Sequence, residues 1–304
     1  MGSDLDLKGV HVPLVTPFTA HGDVAYDEVE RLAHAYLDAG AGGLVALGTT
    51  GEPATLGADE RVRVVEVVAQ VCRSRDARLL VGPGTNSTAA AVAQAVEAGS
   101  VDGVSGVLSV VPYYTRPSED GIVAHFRAVA AASPVPVVVY NIPYRTGRGL
   151  GPDALLALAA TPNVAGLKQA VGGVDVDTLT VLAEAPADFQ VLCGDDAFLF
   201  PMLCSGAVGG ILASAHVCTQ AFVALVDAVA KGEVAVAREL SELLLPVCRA
   251  LFVEPSPAVT KGVLAARGAI GSAGLRAPMT EASPGAVAAA VEAVAAAERA
   301  FAAR

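Results

Sequence analysis

Val135-Pro136-Val137-Val138-Val139-Tyr140 is followed by the helical pattern Pro152–Ala160 and then by a second apolar run, Val164-Ala165-Gly166-Leu167. Neither run carries a charge, and neither alternates an apolar face with a polar one. A strand of that kind is buried on both sides, as parallel strands are when crossover helices cover the sheet. The unit recurs in both directions. Strands are predicted upstream at Val10–Leu14, Gly43–Leu47, Leu79–Val81 and Gly106–Val110, and downstream at Gln190–Cys193 and Gly210–Leu212. Helical patterns fill the gaps at Tyr26–Ala39, Ala58–Cys72, Thr88–Ala98, Glu119–Ala131, Asp175–Ala185 and Ala197–Cys204. Ser118-Glu119-Asp120 ahead of an apolar run is a helix-start signal. Eight strands with helices between them predict an α/β fold, a closed (β/α)8 TIM barrel rather than an open sheet.

Beyond about Thr219 only helical periodicity remains, at Thr219–Lys231, Val234–Leu251, Ser256–Ala269 and Gly285–Ala302. The breaks fall at Gly232, at Pro255 and across Arg276–Pro284. One of these helices must complete the barrel. The expected division is a catalytic barrel over residues 1–230 and a C-terminal helical segment, 231–304, packed on it. The Ala-rich last stretch has the apolar spacing and mixed charge of a packed helix, not of a low-complexity tail.

The composition narrows the function classes. The 304 residues are 53% hydrophobic and 17% charged, with 31 Gly and 18 Pro, which describes a folded core with many tight turns. A net charge of −11 repels nucleic acid and anionic membranes, so neither is expected as a partner. Cys72, Cys193, Cys204, Cys218 and Cys248 are scattered and form no CxxC pair, and read as buried apolar residues in a reducing compartment. Met1–Gly9 has no apolar core of a signal peptide, and no apolar stretch is long enough to span a bilayer. A cytoplasmic protein is expected. His11, His21, His34, His125 and His216 show no HxxxH or HExxH spacing, so no catalytic metal is expected. No GxGxxG opens a helix, which argues against a dinucleotide.

In a parallel barrel the chemistry sits where strands end. Strand 6 runs into Lys168, one of four lysines against sixteen arginines. Arginine serves most ion pairs but cannot lose its proton and attack a carbonyl. A lysine flanked by Leu167 and Ala170 stands where desolvation lowers an amine pKa and makes a nucleophile. The bland alternative is a side chain reaching from the strand end to solvent. Tyr140 and Tyr114, after strands 5 and 4, supply phenols that can relay protons, and Thr49 can pass a proton between two hydroxyls. Gly48-Thr49-Thr50-Gly51 offers backbone N–H groups and hydroxyls to a carboxylate, unless it is only a tight turn of small residues. Arg145, in a loop punctuated by Pro143 and Gly147, can hold a second carboxylate bidentately, or else form a surface ion pair. Asp195-Asp196 is read as structural, for example capping the next helix. Gly206-Ala207-Val208-Gly209-Gly210 precedes its strand and is not a phosphate loop.

Taken in order, these motifs resemble the dihydrodipicolinate synthase/N-acetylneuraminate lyase family of pyruvate-dependent class I aldolases. The likeness runs from Val15-Thr16-Pro17-Phe18 to Leu275-Arg276-Ala277-Pro278-Met279-Thr280 and includes Phe252-Val253-Glu254-Pro255-Ser256-Pro257. It implies that Lys168 forms the Schiff base, that Tyr140, Thr49 and Tyr114 relay protons, and that Tyr114 reaches into a neighbouring subunit's site. It further implies that Thr49 and Thr50 hold the pyruvate carboxylate, that Arg145 binds the carboxylate of the incoming aldehyde, and that the Ile211 carbonyl faces the substrate. Thr49 and Arg145 point to the synthase branch, which condenses pyruvate with L-aspartate-4-semialdehyde in lysine (diaminopimelate) biosynthesis. A lyase of that branch is a homotetramer built as a dimer of dimers and needs no external cofactor. Two alternatives stay open: another aldolase or dehydratase of the family acting on a sugar acid, and a non-catalytic keto-acid-binding paralogue. Gln169-Ala170-Val171-Gly172 departs from the family's usual Glu after the lysine. Asn86 and Tyr113 match an allosteric lysine site, but Ala90 and Ala58 stand where sensitive members carry Glu and His. Weak or absent inhibition by lysine is therefore expected.

Overall fold

A computed structural model of the chain describes residues 5–82 and 84–304. Eight parallel strands close into one barrel: β1 Gly9–Pro13, β2 Gly43–Ala46, β3 Arg78–Val81, β4 Gly106–Val110, β5 Val137–Asn141, β6 Val164–Gln169, β7 Gln190–Cys193 and β8 Gly209–Ile211. The outer ring holds α1 Tyr26–Asp38, α2 Ala58–Ser74, α3 Thr88–Gly99, α4 Glu119–Ala132, the single turn α5 Pro143–Thr146, α6 Pro152–Ala159, α7 Val176–Glu184 and α8 Leu199–Cys204. Helix α9, Ala215–Ala230, packs against β1 and completes the ring. Three more helices follow: α10 Val234–Leu251, α11 Ala258–Ala266 and α12 Pro284–Ala302. They pack on one another and on α9.

The alternation of side chains along a strand divides the apolar residues between two layers. In β5, Val137 and Val139 face the helices, while Val138 and Tyr140 face the barrel interior. Leu5 and Leu7, just ahead of β1, join the interior layer, and Gln190 anchors them by accepting from Leu7 N and donating to the Leu5 carbonyl. This segment fills the end of the barrel where the strands begin.

Side-chain caps fix several helix starts. Ser87, Ser118, Asp175 and Ser283 accept from the backbone N–H groups of Ala90, Gly121, Thr178 and Ala286. Strand 5 begins at Val137 rather than Val135, because Pro136 has no N–H for the ladder; its carbonyl still accepts from Val107 N at 2.9 Å. Strand 6 runs on through Lys168 to Gln169, so the lysine is part of the sheet. Cys72, Cys193, Cys218 and Cys248 are buried, but Cys204, at the end of α8, is exposed, contrary to the expectation for all five. Among the described residues no helix is long and apolar enough to cross a membrane.

Candidate active site

Tyr140, Lys168 and Leu192 are register partners on β5, β6 and β7, so they share one layer of the barrel near the strands' C-terminal ends. Lys168 is 7% exposed, and its Nζ lies 4.1 Å from the centre of the Tyr140 ring. Gly194, directly after β7, leaves room for it: a Cβ there would stand 3.0 Å from Lys168 Cε and 2.8 Å from Ala170 Cβ. None of the hydrogen bonds or ion pairs among the described residues reaches Lys168 Nζ. Burial therefore dominates and lowers the ammonium pKa from 10.5 to about 8, against the opposing pull of Asp196, Asp195, Tyr144 and Cys193. At neutral pH roughly a tenth of the side chain is free amine, compared with well under a thousandth for an ordinary lysine.

Burial also raises the Tyr140 phenol above its usual range; Arg145 and a hydrogen bond with the Thr49 side chain oppose this in part. Tyr140 is thus a protonated phenol beside a partly neutral amine, with Thr49 as its hydroxyl neighbour. Thr49–Gly51 forms a tight 3-10 turn after β2, with Thr50 buried and Thr49 accessible. Thr49, Thr50, Tyr140, Arg145 and Ile211 line a cavity of about 50 Å3 around Lys168. Ile211 is the last residue of β8 and is almost fully buried. A wider space of about 360 Å3 adjoins this cavity and shares Thr49, Tyr140 and Arg145 with it, with Tyr113, Pro278 and Met279 on its far walls.

Arg145 sits on α5, which Pro143 starts and Gly147, at φ 71°, ends. Its guanidinium carbon lies 5.1 Å from the centre of the Tyr144 ring, and no ion pair among the described residues includes it. Of the two readings of this arginine, the surface ion pair is absent and the accessible cation remains. Tyr114 is different. It is 87% exposed, has φ 69°, and lines neither space within the single chain.

Several residues of this region were not legible as site residues. Asp195 and Asp196 do not cap the following helix through their side chains, as expected from sequence. Asp195 accepts from Gly172 N at 2.7 Å, and Asp196 accepts from Ala213 N at 3.2 Å and Ser214 N at 2.5 Å. The pair instead ties the loops after β6 and β8 to the end of β7, beside the lysine. Asn141 donates to Gln169 Oε1 at 2.9 Å and Gln169 donates to Thr178 Oγ1 at 3.0 Å, joining β5 and β6 one residue beyond Tyr140 and Lys168. Phe252 and Ser256, from the segment after α10, also line the inner cavity. Both lie in the stretch Phe252–Pro257, whose family likeness was the signal for a C-terminal contribution.

Residues 6–297 match the model of the dihydrodipicolinate synthetase family. The chain belongs to that family. The 4-hydroxy-tetrahydrodipicolinate synthase of Moorella thermoacetica is 42% identical over 251 residues, covering 83% of this chain and 85% of the relative. Among solved structures, the 4-hydroxy-tetrahydrodipicolinate synthase of Methylacidiphilum fumariolicum SolV superposes with a TM-score of 0.92 at 34% identity, covering 98% of each chain. The chloride-inhibited dihydrodipicolinate synthase of Acinetobacter baumannii, complexed with pyruvate, gives 0.91 at 30% identity over 96% of this chain and 99% of that one. This member of the dihydrodipicolinate synthetase family is an enzyme, a lyase of the class I aldolase type.

Proposed function

We propose that the chain condenses pyruvate with L-aspartate-4-semialdehyde, the 4-hydroxy-tetrahydrodipicolinate synthase reaction of lysine biosynthesis, through a Schiff base on Lys168. The observation that carries this reading is a buried lysine with no hydrogen-bonded partner, paired in register with Tyr140 on the neighbouring strand and lining the same cavity as Thr49 and Thr50. The neutral amine attacks the pyruvate carbonyl carbon, and the carbonyl oxygen leaves as water after accepting protons through Tyr140 and Thr49. The imine nitrogen then serves as the electron sink for loss of a methyl proton, giving an enamine, so no external cofactor is required. The enamine carbon attacks the aldehyde, and closure by the aldehyde's own amine releases Lys168. Thr49 and Thr50 receive the pyruvate carboxylate, Ile211 bounds the pocket with its backbone carbonyl towards the substrate, and Arg145 at the mouth clamps the carboxylate of the second substrate.

Two features complete the proposal. The working form is a homotetramer, a dimer of dimers, in which the solvent-facing Tyr114 of one copy enters the relay of the next. Replacing Tyr114 with Phe is expected to lower turnover while leaving assembly, followed by sedimentation, intact. The enzyme works in the cytoplasm and is weakly inhibited or uninhibited by lysine, since Ala90 offers no carboxylate to the ligand's amines and Ala58 no imidazole to hydrogen-bond it. An assay coupled to reduction of the product tests the substrate assignment. L-aspartate-4-semialdehyde is expected to turn over with pyruvate far faster than aldehydes derived from sugar acids. The reverse order would overturn the assignment and favour a sugar-acid aldolase of the same family.

A further inference from the structure

Lys261 on α11 is fully buried, and its Nζ donates to Glu52 Oε1 at 2.8 Å and to the Thr16 carbonyl at 2.9 Å. Glu52 directly follows the Thr49–Gly51 turn, and its side chain is 3% exposed. Its other carboxylate oxygen accepts from Arg276 N at 3.1 Å. Thr16 closes the circuit, because its hydroxyl donates to the Gly51 carbonyl at 2.7 Å. The Phe18 ring lies under both cations, 4.1 Å from Lys261 Nζ and 4.6 Å from Arg276 Cζ. Both cations belong to the segment beyond the barrel.

A buried ion pair is a poor stabiliser, since desolvation offsets most of the Coulombic gain, and apolar side chains of the same volume would serve the core as well. What a paired carboxylate adds is direction. Glu52 is held at φ 53°, ψ 41°, a left-handed conformation that an ordinary side chain adopts only under constraint. Three donors fix it there: Lys261 and Arg276 on its carboxylate, and Thr16 on the preceding carbonyl. Thr50 and Thr49 stand two and three residues upstream of Glu52, so their hydroxyls and N–H groups inherit that placement. Displacement of a binding group by about 1 Å is enough to cost orders of magnitude in a positioned reaction.

We propose that the Glu52–Lys261 pair is a positioning element for the keto-acid carboxylate. It sets the Thr49-Thr50 turn, and so makes pyruvate affinity depend on the C-terminal segment. This rests on the Schiff-base reading of the site. Neither residue touches the substrate in this scheme, and Arg145, which takes the second carboxylate, lies on a different loop.

The test is the pyruvate concentration that half-saturates borohydride trapping on Lys168, measured for the full-length wild type, Glu52→Gln and Lys261→Met. Trapped enzyme counts only the folded, reactive fraction, so loss of protein does not enter the half-saturation value. Glu52→Gln keeps the side chain's shape but loses one acceptor, and it covers the case in which Lys261→Met fails to fold. The expected result is a rise in half-saturating pyruvate of about tenfold or more in each variant that folds, with the KM for the aldehyde changed less than about twofold. An unchanged pyruvate value in a folded variant, or equal rises for both substrates, would overturn the inference while leaving the Schiff base intact. No adduct in the wild type would remove the Schiff-base reading and this inference with it.

Discussion

Lys168 and Lys261 are both buried, both have ammonium pKa values lowered chiefly by desolvation, and each Nζ lies 4.1 Å from an aromatic ring centre. They differ in their partners. Lys261 has a carboxylate at 2.8 Å and a carbonyl at 2.9 Å, and the Glu52 carboxylate opposes the lowering by burial. Lys168 has carboxylates in its neighbourhood but none bonded, because Asp195 and Asp196 are committed to backbone N–H groups of the loops around it. The same side chain is thus a brace in one place and a nucleophile in the other. What separates them is whether the surrounding oxygens are free to reach the ammonium.

The largest effect that could break this contrast is on turnover. Lys168→Met is expected to lower steady-state activity by about 10⁴-fold or more, since no other group can form the imine. Lys261→Met should leave a measurable rate once pyruvate is raised. Comparable losses at saturating pyruvate would erase the distinction. Tyr140→Phe comes next, with an expected loss of about 10²- to 10³-fold and a folded protein, as for removal of a positioned proton-transfer group. A near-normal rate in that variant would take the phenol out of the relay.

Stability sharpens the comparison with opposite signs. Lys261→Met leaves Glu52 buried and unpaired and is expected to cost about 3–5 kcal/mol in denaturant unfolding. Lys168→Met removes an ammonium that burial disfavours and is expected to stabilise by about 1–3 kcal/mol at pH 7. For Lys168 the folded pKa, about 8, lies below the unfolded value of 10.5. Its cost to stability is therefore fully present below pH 8 and disappears as the pH rises towards 10.5. The stabilisation by Lys168→Met should fade over that window, and a constant difference between pH 7 and 10.5 would contradict the unpaired amine. The smallest effect is a displacement of midpoint. The rate of adduct formation should climb about tenfold per pH unit and level off near pH 8, and Asp195→Asn should move that bend to lower pH.

The barrel was legible because double-sided burial writes itself into uncharged runs such as Val137–Tyr140, whose spacing repeats along the chain. Lys168 stood out as a candidate because it is one of few lysines in a chain that prefers arginine, and because Tyr140, Thr49 and Arg145 follow neighbouring strands. Strand limits were less legible: Pro136 shortens β5 through a missing donor that hydrophobicity does not register. The Glu52–Lys261 pair was not legible at all, since 209 residues separate partners whose local patterns are a turn and a helix. The backbone bonds of Asp196 were hidden for the same reason, because Ala213 and Ser214 become its neighbours only when the barrel closes. Tyr114 carries a different limit. Its exposure within one chain leaves its proposed destination in another copy, which no intrachain pattern encodes.

The most direct measurement is borohydride reduction in the presence of pyruvate, read by intact mass and peptide mapping, on wild type and on Lys168→Arg. The expected result is a single pyruvate-sized adduct on Lys168 in the wild type and none in the variant. An adduct on Lys261 instead, or none on the wild type under conditions that label another family member, would contradict the assignment of Lys168 as the nucleophile.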